Sequence, residues 1–201
     1  MTIDSMADDL VAVLDYFELG PIPVAGWSMG GMVVQSLALR HPARVSAVAL
    51  LGTDGGGPDA IVADPGDWAQ LIDHSGSPRQ QASRMLSLLF PAEVAAEIDW
   101  QFGDVVAEAR AALSTDALVA QERAMNVWHA MEPHLLPTTV PPVLVATGAE
   151  DIVIPPANAD LLATRWGAAI VERYNGCGHA LMAQEPERLS GLITKFFASS
   201  P

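Results

Sequence analysis

The chain has 201 residues, half of them apolar, and a formal charge of −14. That is enough for one domain, or one domain with an inserted lobe, around a sizeable core, and the acidity argues against nucleic acid or an anionic membrane as partner, since both call for a basic face. The single cysteine, Cys177, leaves no internal disulfide and fits a reducing, cytoplasmic setting; Met1 to Leu10 carries three aspartates and no basic residue, unlike a secretory signal, and the apolar runs are too short to span a membrane.

Residues 4–18 read as a helix, because Met6, Leu10, Val13, Leu14 and Phe17 recur at helical spacing and Gly20-Pro21 ends the pattern. A short apolar run at 22–27 reads as a strand, 29–40 as a helix closed by His41-Pro42, and 45–51 as a second strand. Continuous apolar strands separated by helices predict a parallel sheet covered on both faces. The pattern then changes. Residues 52–65 are loop-like, with Gly55-Gly56-Gly57-Pro58, and from 67 to 136 only helical periodicity is seen, at 80–90, 93–99, 105–113 and 116–131. After Val140-Pro141-Pro142 come a strand at 143–147, a helix at 157–166, a strand at 169–174 and a last helix at 187–197. The expected organisation is an α/β core of residues 1–57 and 138–201 with a helical cap inserted at 58–137.

Gly26-Trp27-Ser28-Met29-Gly30 follows a predicted strand and opens a predicted helix. A G-x-S-x-G run in that setting suits a nucleophile elbow, whose sharp turn lifts the serine hydroxyl out of the sheet. The flanking glycines let backbones approach where a Cβ would clash. The helix N-terminus brings free N–H groups and its positive end close to the place where an oxyanion forms. A serine needs a base to take its proton. Asp151 follows the strand at 143–147, and His179 follows the strand at 169–174. In a parallel sheet these carboxyl ends share one edge, so Ser28, Asp151 and His179 are expected to converge there.

The segments GWSMGGMVVQSLALRHPARVSAVALLGT, VLVATGAEDIVIPP and GCGHALMAQEPERL together resemble the α/β-hydrolase superfamily, near its enol-lactonase, esterase and cofactor-free haloperoxidase branches. The resemblance runs over essentially the whole chain. It implies an α/β-hydrolase fold with Ser28 as nucleophile, Asp151 as acid and His179 as base. Met29 would lend a backbone N–H to the oxyanion hole, no cofactor is needed, and the cap would lie over the pocket. The implied reaction is hydrolysis of a small or medium apolar carboxylic ester, lactone or thioester through an acyl-enzyme on Ser28. Family members usually carry several strands before the elbow and an early His-Gly-type loop that supplies a second oxyanion N–H. No His-Gly pair precedes Ser28. The departure leads us to expect an N-terminally truncated sheet with the elbow strand near an edge, and self-association through that edge. The alternative function is a non-catalytic or impaired binding module.

Other residues compete for roles. Asp54 also follows a strand and is the rival acid; Glu150 reads as a solvated neighbour. The glycine run at 55–57 reads as a flexible loop at the pocket rim and lacks the Lys-Ser/Thr ending of a phosphate loop. Cys177 reads as a small buried thiol. His41, His74, His129 and His134 have no ligand spacing, so no metal is expected. Trp27, Met125, Trp128 and Leu181 are expected to line the pocket.

Overall fold

In the computed structural model, which describes residues 1–167 and 170–200, four parallel strands form one sheet in the order β1 (Ile22–Trp27), β2 (Val45–Leu51), β3 (Val143–Gly148) and β4 (Ile170–Tyr174). The first residue of the strand read at 169–174 lies outside the described residues. Side chains alternate across the sheet as the pleat requires. Val48, Leu50, Val143 and Val145 enter one core with helix α2 (Met29–Arg40) and α7 (Asn158–Trp166). Ala47, Ala49, Leu51, Leu144 and Ala146 enter the other with α8 (Leu181–Gln184) and α9 (Pro186–Ser199). Both faces of β2 and β3 are thus covered, which explains their unbroken apolar sequences. β1 pairs with β2 alone among the described residues and has the more exposed, alternating pattern of an edge.

Helix α1 (Ile3–Tyr16) starts from a Thr2 cap, with Thr2 Oγ1 accepting the Ser5 N–H at 3.0 Å. It is locked onto α2 by Ser36 Oγ donating to Asp4 Oδ1 (2.6 Å) and by Arg40 and His41 reaching Asp8.

Between β2 and β3 the described residues form α3 (Pro65–Leu71), α4 (Pro78–Leu89), α5 (Ala92–Ala111) and α6 (Thr115–Ala130), with no strand. The periodicity read as separate helices at 93–99 and 105–113 belongs to one helix, α5, which runs straight through Gly103. A Cβ at Gly103 would sit 2.5 Å from the Arg79 guanidinium carbon. The glycine is therefore a seat for Arg79, which bridges to Asp99 and Asp104, and not a helix break. No helix among the described residues is long and apolar enough to cross a membrane.

Candidate active site

Each strand delivers one piece of the site at its carboxyl end. β1 runs into Ser28 with no intervening residue, and the turn is strained: Ser28 has φ 54° and ψ −125°. Only Glu18 shares a positive φ among the described non-glycine residues. Strain of this kind costs about 1–3 kcal/mol and persists where the surroundings enforce it. A Cβ at Gly26 would lie 2.2 Å from the Gly30 carbonyl oxygen, and one at Gly31 would lie 2.5 Å from Thr53. Gly30 faces open space. The close approach expected of the motif's two glycines thus falls on Gly26 and Gly31. Thr53, at the end of β2, buttresses the turn by donating from Oγ1 to the Ser28 carbonyl at 2.8 Å.

β3 leads to Asp151 and β4 to His179, both almost fully buried. His179 Nδ1 lies 2.7 Å from Asp151 Oδ2, and Nε2 lies 2.9 Å from Ser28 Oγ. Asp151 Oδ1 accepts the N–H groups of Val153 (2.9 Å) and Ile154 (2.8 Å). These donors hold the carboxylate in place and aim Oδ2 at the ring. A carboxylate accepts, so Nδ1 carries the proton and Nε2 presents its lone pair to the Ser28 hydroxyl. The structure therefore brings Ser28, His179 and Asp151 into one hydrogen-bonded line. Asp54, the rival acid, does not reach His179; its Oδ2 lies 3.0 Å from His129 Nε2. The Met29 N–H, next to Ser28 at the start of α2, has no acceptor among the described residues.

Several supports were not visible in sequence. The acid loop is strapped to the histidine loop by backbone bonds from Ala149 N–H to the Tyr174 carbonyl (2.9 Å) and from Glu150 N–H to that of Cys177 (2.9 Å). Gln184 clamps the histidine loop, accepting the Gly178 N–H at 2.9 Å and donating to the Gly176 carbonyl at 2.9 Å. Trp27 donates its indole N–H to the His179 carbonyl at 3.0 Å, with its ring 5.1 Å from the imidazole. Gly52 sits beneath this convergence, and a Cβ there would make only ordinary contacts of 3.4–3.5 Å with Asp151 Oδ2, His179 Nδ1 and Trp27 Nε1, so it is the left-handed backbone at φ +48° that favours glycine. Burial first, then Glu185, pushes the Cys177 thiol pKa up, so this neighbour of His179 stays protonated and inert.

Ser28 and His179 open into a cavity of about 510 Å³, floored by Met29, Met32 and Ile154 and roofed by the α3–α6 region. Trp27 and Met125 line it. Trp128 and Leu181 do not. Trp128 faces away from the cavity on α6 and packs on Gly56, whose Cβ would lie 2.6 Å from its Nε1. Leu181 lies under the histidine loop in the core with Tyr174 and Leu189. The glycine run at 55–57 is not a loose rim: Gly57 donates to the Trp128 carbonyl at 3.1 Å and seats the end of α6. Each of the remaining histidines faces a carboxylate, His41 with Asp8, His74 with Glu122, His129 with Asp54 and His134 with Asp4. Among the described residues no group of three or more His, Cys, Asp or Glu is placed to hold a metal.

The profile of the alpha/beta hydrolase fold family matches residues 1–186. A 2-hydroxymuconate semialdehyde hydrolase of Pseudomonas sp. (strain CF600) is 27% identical over 207 residues, covering 98% of this chain and 69% of that protein. A pimeloyl-[acyl-carrier protein] methyl ester esterase of Aromatoleum aromaticum is 28% identical over 189 residues, covering 85% of this chain and 71% of that protein. Among solved structures, a mutant of the meta-cleavage product hydrolase from Pseudomonas fluorescens IP01 superposes with a TM-score of 0.81 at 19% identity, over 98% of this chain and 72% of that one.

Proposed function

Because the chain belongs to the alpha/beta hydrolase fold family, we propose that it is a serine hydrolase that cleaves a small or medium, largely apolar carboxylic ester, lactone or thioester through an acyl-enzyme on Ser28. The observation that carries this reading is the Ser28–His179–Asp151 line, at 2.9 and 2.7 Å. Ser28 Oγ attacks the acyl carbonyl while His179 Nε2 takes its proton. The imidazolium that forms is stabilised by Asp151, and the oxyanion lies against the Met29 N–H. His179 then returns the proton to the leaving oxygen or sulfur. Water then attacks the acyl carbon as His179 Nε2 takes its proton, and His179 passes that proton to Ser28 Oγ as the ester bond to Ser28 breaks and the carboxylic acid leaves. The apolar floor suits the acyl chain, and α/β hydrolases with esterase names among the relatives fit an ester-type bond. No step calls for a metal or an organic cofactor.

The test is rapid mixing with p-nitrophenyl butanoate. A burst of nitrophenol with one equivalent per active chain, followed by slower turnover and absent from Ser28→Ala, is the expected result. Turnover that survives Ser28→Ala would overturn the assignment. Absence of any turnover in the folded chain would favour the non-catalytic reading.

A further inference from the structure

The roof of the cavity is not uniformly apolar. Helix α6 turns Leu118, Gln121, Glu122, Met125, Asn126 and His129 towards it, the stripe of one helical face. Most of these side chains are polar, and His129 is the one that is fixed from the core side. Its Nε2 lies 3.0 Å from Asp54 Oδ2. Asp54 is 2% exposed and cannot turn: Oδ1 accepts the Gly56 N–H at 2.8 Å, and its backbone carbonyl accepts Gln35 Nε2 at 2.8 Å. Since a carboxylate only accepts, a neutral His129 carries its proton on Nε2 and shows a lone pair at Nδ1. No group among the described residues bonds that Nδ1, and the imidazole is a fifth exposed, in the same cavity as Ser28 and His179.

We propose that Asp54 and His129 form a substrate-recognition dyad that accepts a hydrogen bond from a hydroxyl on the acyl part, so that the preferred substrates are hydroxyacyl esters or thioesters. This rests on the serine-hydrolase reading only in placing the scissile carbonyl at Ser28. A carboxylate substituent fits less well. Asp54 and Glu122 already bring negative charge to the lining, and Arg110 is engaged with Gln81 Oε1 (3.1 Å) and His74 Nδ1 (3.0 Å). A plain alkyl chain leaves the His129 lone pair without a partner when water is displaced, and a ketone sets its own lone pairs against it.

The test uses calorimetric binding to the folded Ser28→Ala chain, so that it needs no turnover. The ligands are methyl hexanoate and its relatives with a hydroxyl or a ketone at C3 or C5. The hydroxyl compound is expected to bind about tenfold tighter than the ketone at one of the two positions, the value of one well-made buried hydrogen bond. Asp54→Asn gives the sharper reading. The carbonyl of the introduced amide must keep the Gly56 N–H, so its NH2 faces His129 Nε2. That moves the histidine proton to Nδ1, and the hydroxyl-to-ketone ratio falls to about one or below. His129→Leu is expected to abolish the ratio as well, should Asp54→Asn not fold. A ratio near one in the Ser28→Ala protein at both positions, or a ratio unchanged in the dyad variants, overturns the inference. Loss of Ser28-dependent turnover in the parent chain would instead strike the hydrolase reading and leave the binding ratios standing.

Discussion

Gly148→Ala tests how the site is held together. Gly148 ends β3, three residues before Asp151, and its missing side chain faces the histidine loop. A Cβ there would lie 2.1 Å from the Gly178 carbonyl oxygen and 2.4 Å from that of Cys177. Both obstacles are backbone, so no side chain can swing away. To reach an ordinary contact of 3.4 Å the two loops must separate by about 1.3 Å. Gly178 adjoins His179, and the same two loops share the Glu150-to-Cys177 backbone bond of 2.9 Å. A displacement of that size takes the 2.7 Å bond between Asp151 and His179 beyond hydrogen-bond reach. Misplacement by about 1 Å costs on the order of 10²-fold in rate, and overpacking costs about 1–3 kcal/mol of stability. We expect kcat for p-nitrophenyl butanoate to fall at least about 10²-fold and the thermal midpoint to drop by several degrees, while the far-ultraviolet circular dichroism stays that of a folded chain. A folded Gly148→Ala protein with parental kcat would refute the claim that close packing of the acid and histidine loops sets the site.

Further outcomes follow from the same geometry. In Asp151→Asn the side-chain carbonyl must keep the Val153 and Ile154 N–H groups, so its NH2 faces His179 Nδ1 and imposes the wrong tautomer; kcat is expected to drop about 10⁴-fold with the fold intact. Trp27→Phe keeps a ring beside His179 but removes the 3.0 Å bond to its carbonyl; leaving that buried acceptor unpaired costs about 1–3 kcal/mol, seen as a lower thermal midpoint and a lower kcat with KM little changed. Cys177, buried and held protonated, should react with iodoacetamide at pH 8 far more slowly in the native chain than in urea. The outer edge of β1 has no strand partner among the described residues, and sedimentation velocity is expected to show concentration-dependent self-association; a monomer at all concentrations would show that this edge is inert.

The parallel sheet and its order of elements were readable because β2 and β3 are buried on both faces and so carry unbroken apolar runs. Asp151 was readable because it follows such a run, Ser28 because a G-x-S-x-G turn joins a short strand to a helix, and His179 because it follows the last strand; parallel strands put those carboxyl ends on one edge. What escaped the reading depends on partners far off in the chain. The Trp27 indole meets a carbonyl 152 residues away, and Asp54 meets a histidine 75 residues away. Nothing local marks either pairing. Trp128 and Leu181 misled for a related reason: an apolar side chain on a cap helix or after the histidine suits pocket and core equally, and only the helix's rotation decides. The gap left between 99 and 105 is closed by α5, which runs through Gly103, where the space a side chain would take is filled by Arg79 from another helix.

In the proposed reaction Ser28 is a nucleophile activated by His179. The most direct measurement is intact and peptide mass spectrometry after reaction with a fluorophosphonate. A single adduct is expected on the peptide containing Ser28, formed in the parent chain and lost in both Ser28→Ala and His179→Ala. A folded parent chain that forms no adduct at Ser28, or a His179→Ala protein labelled at the parental rate, would contradict it.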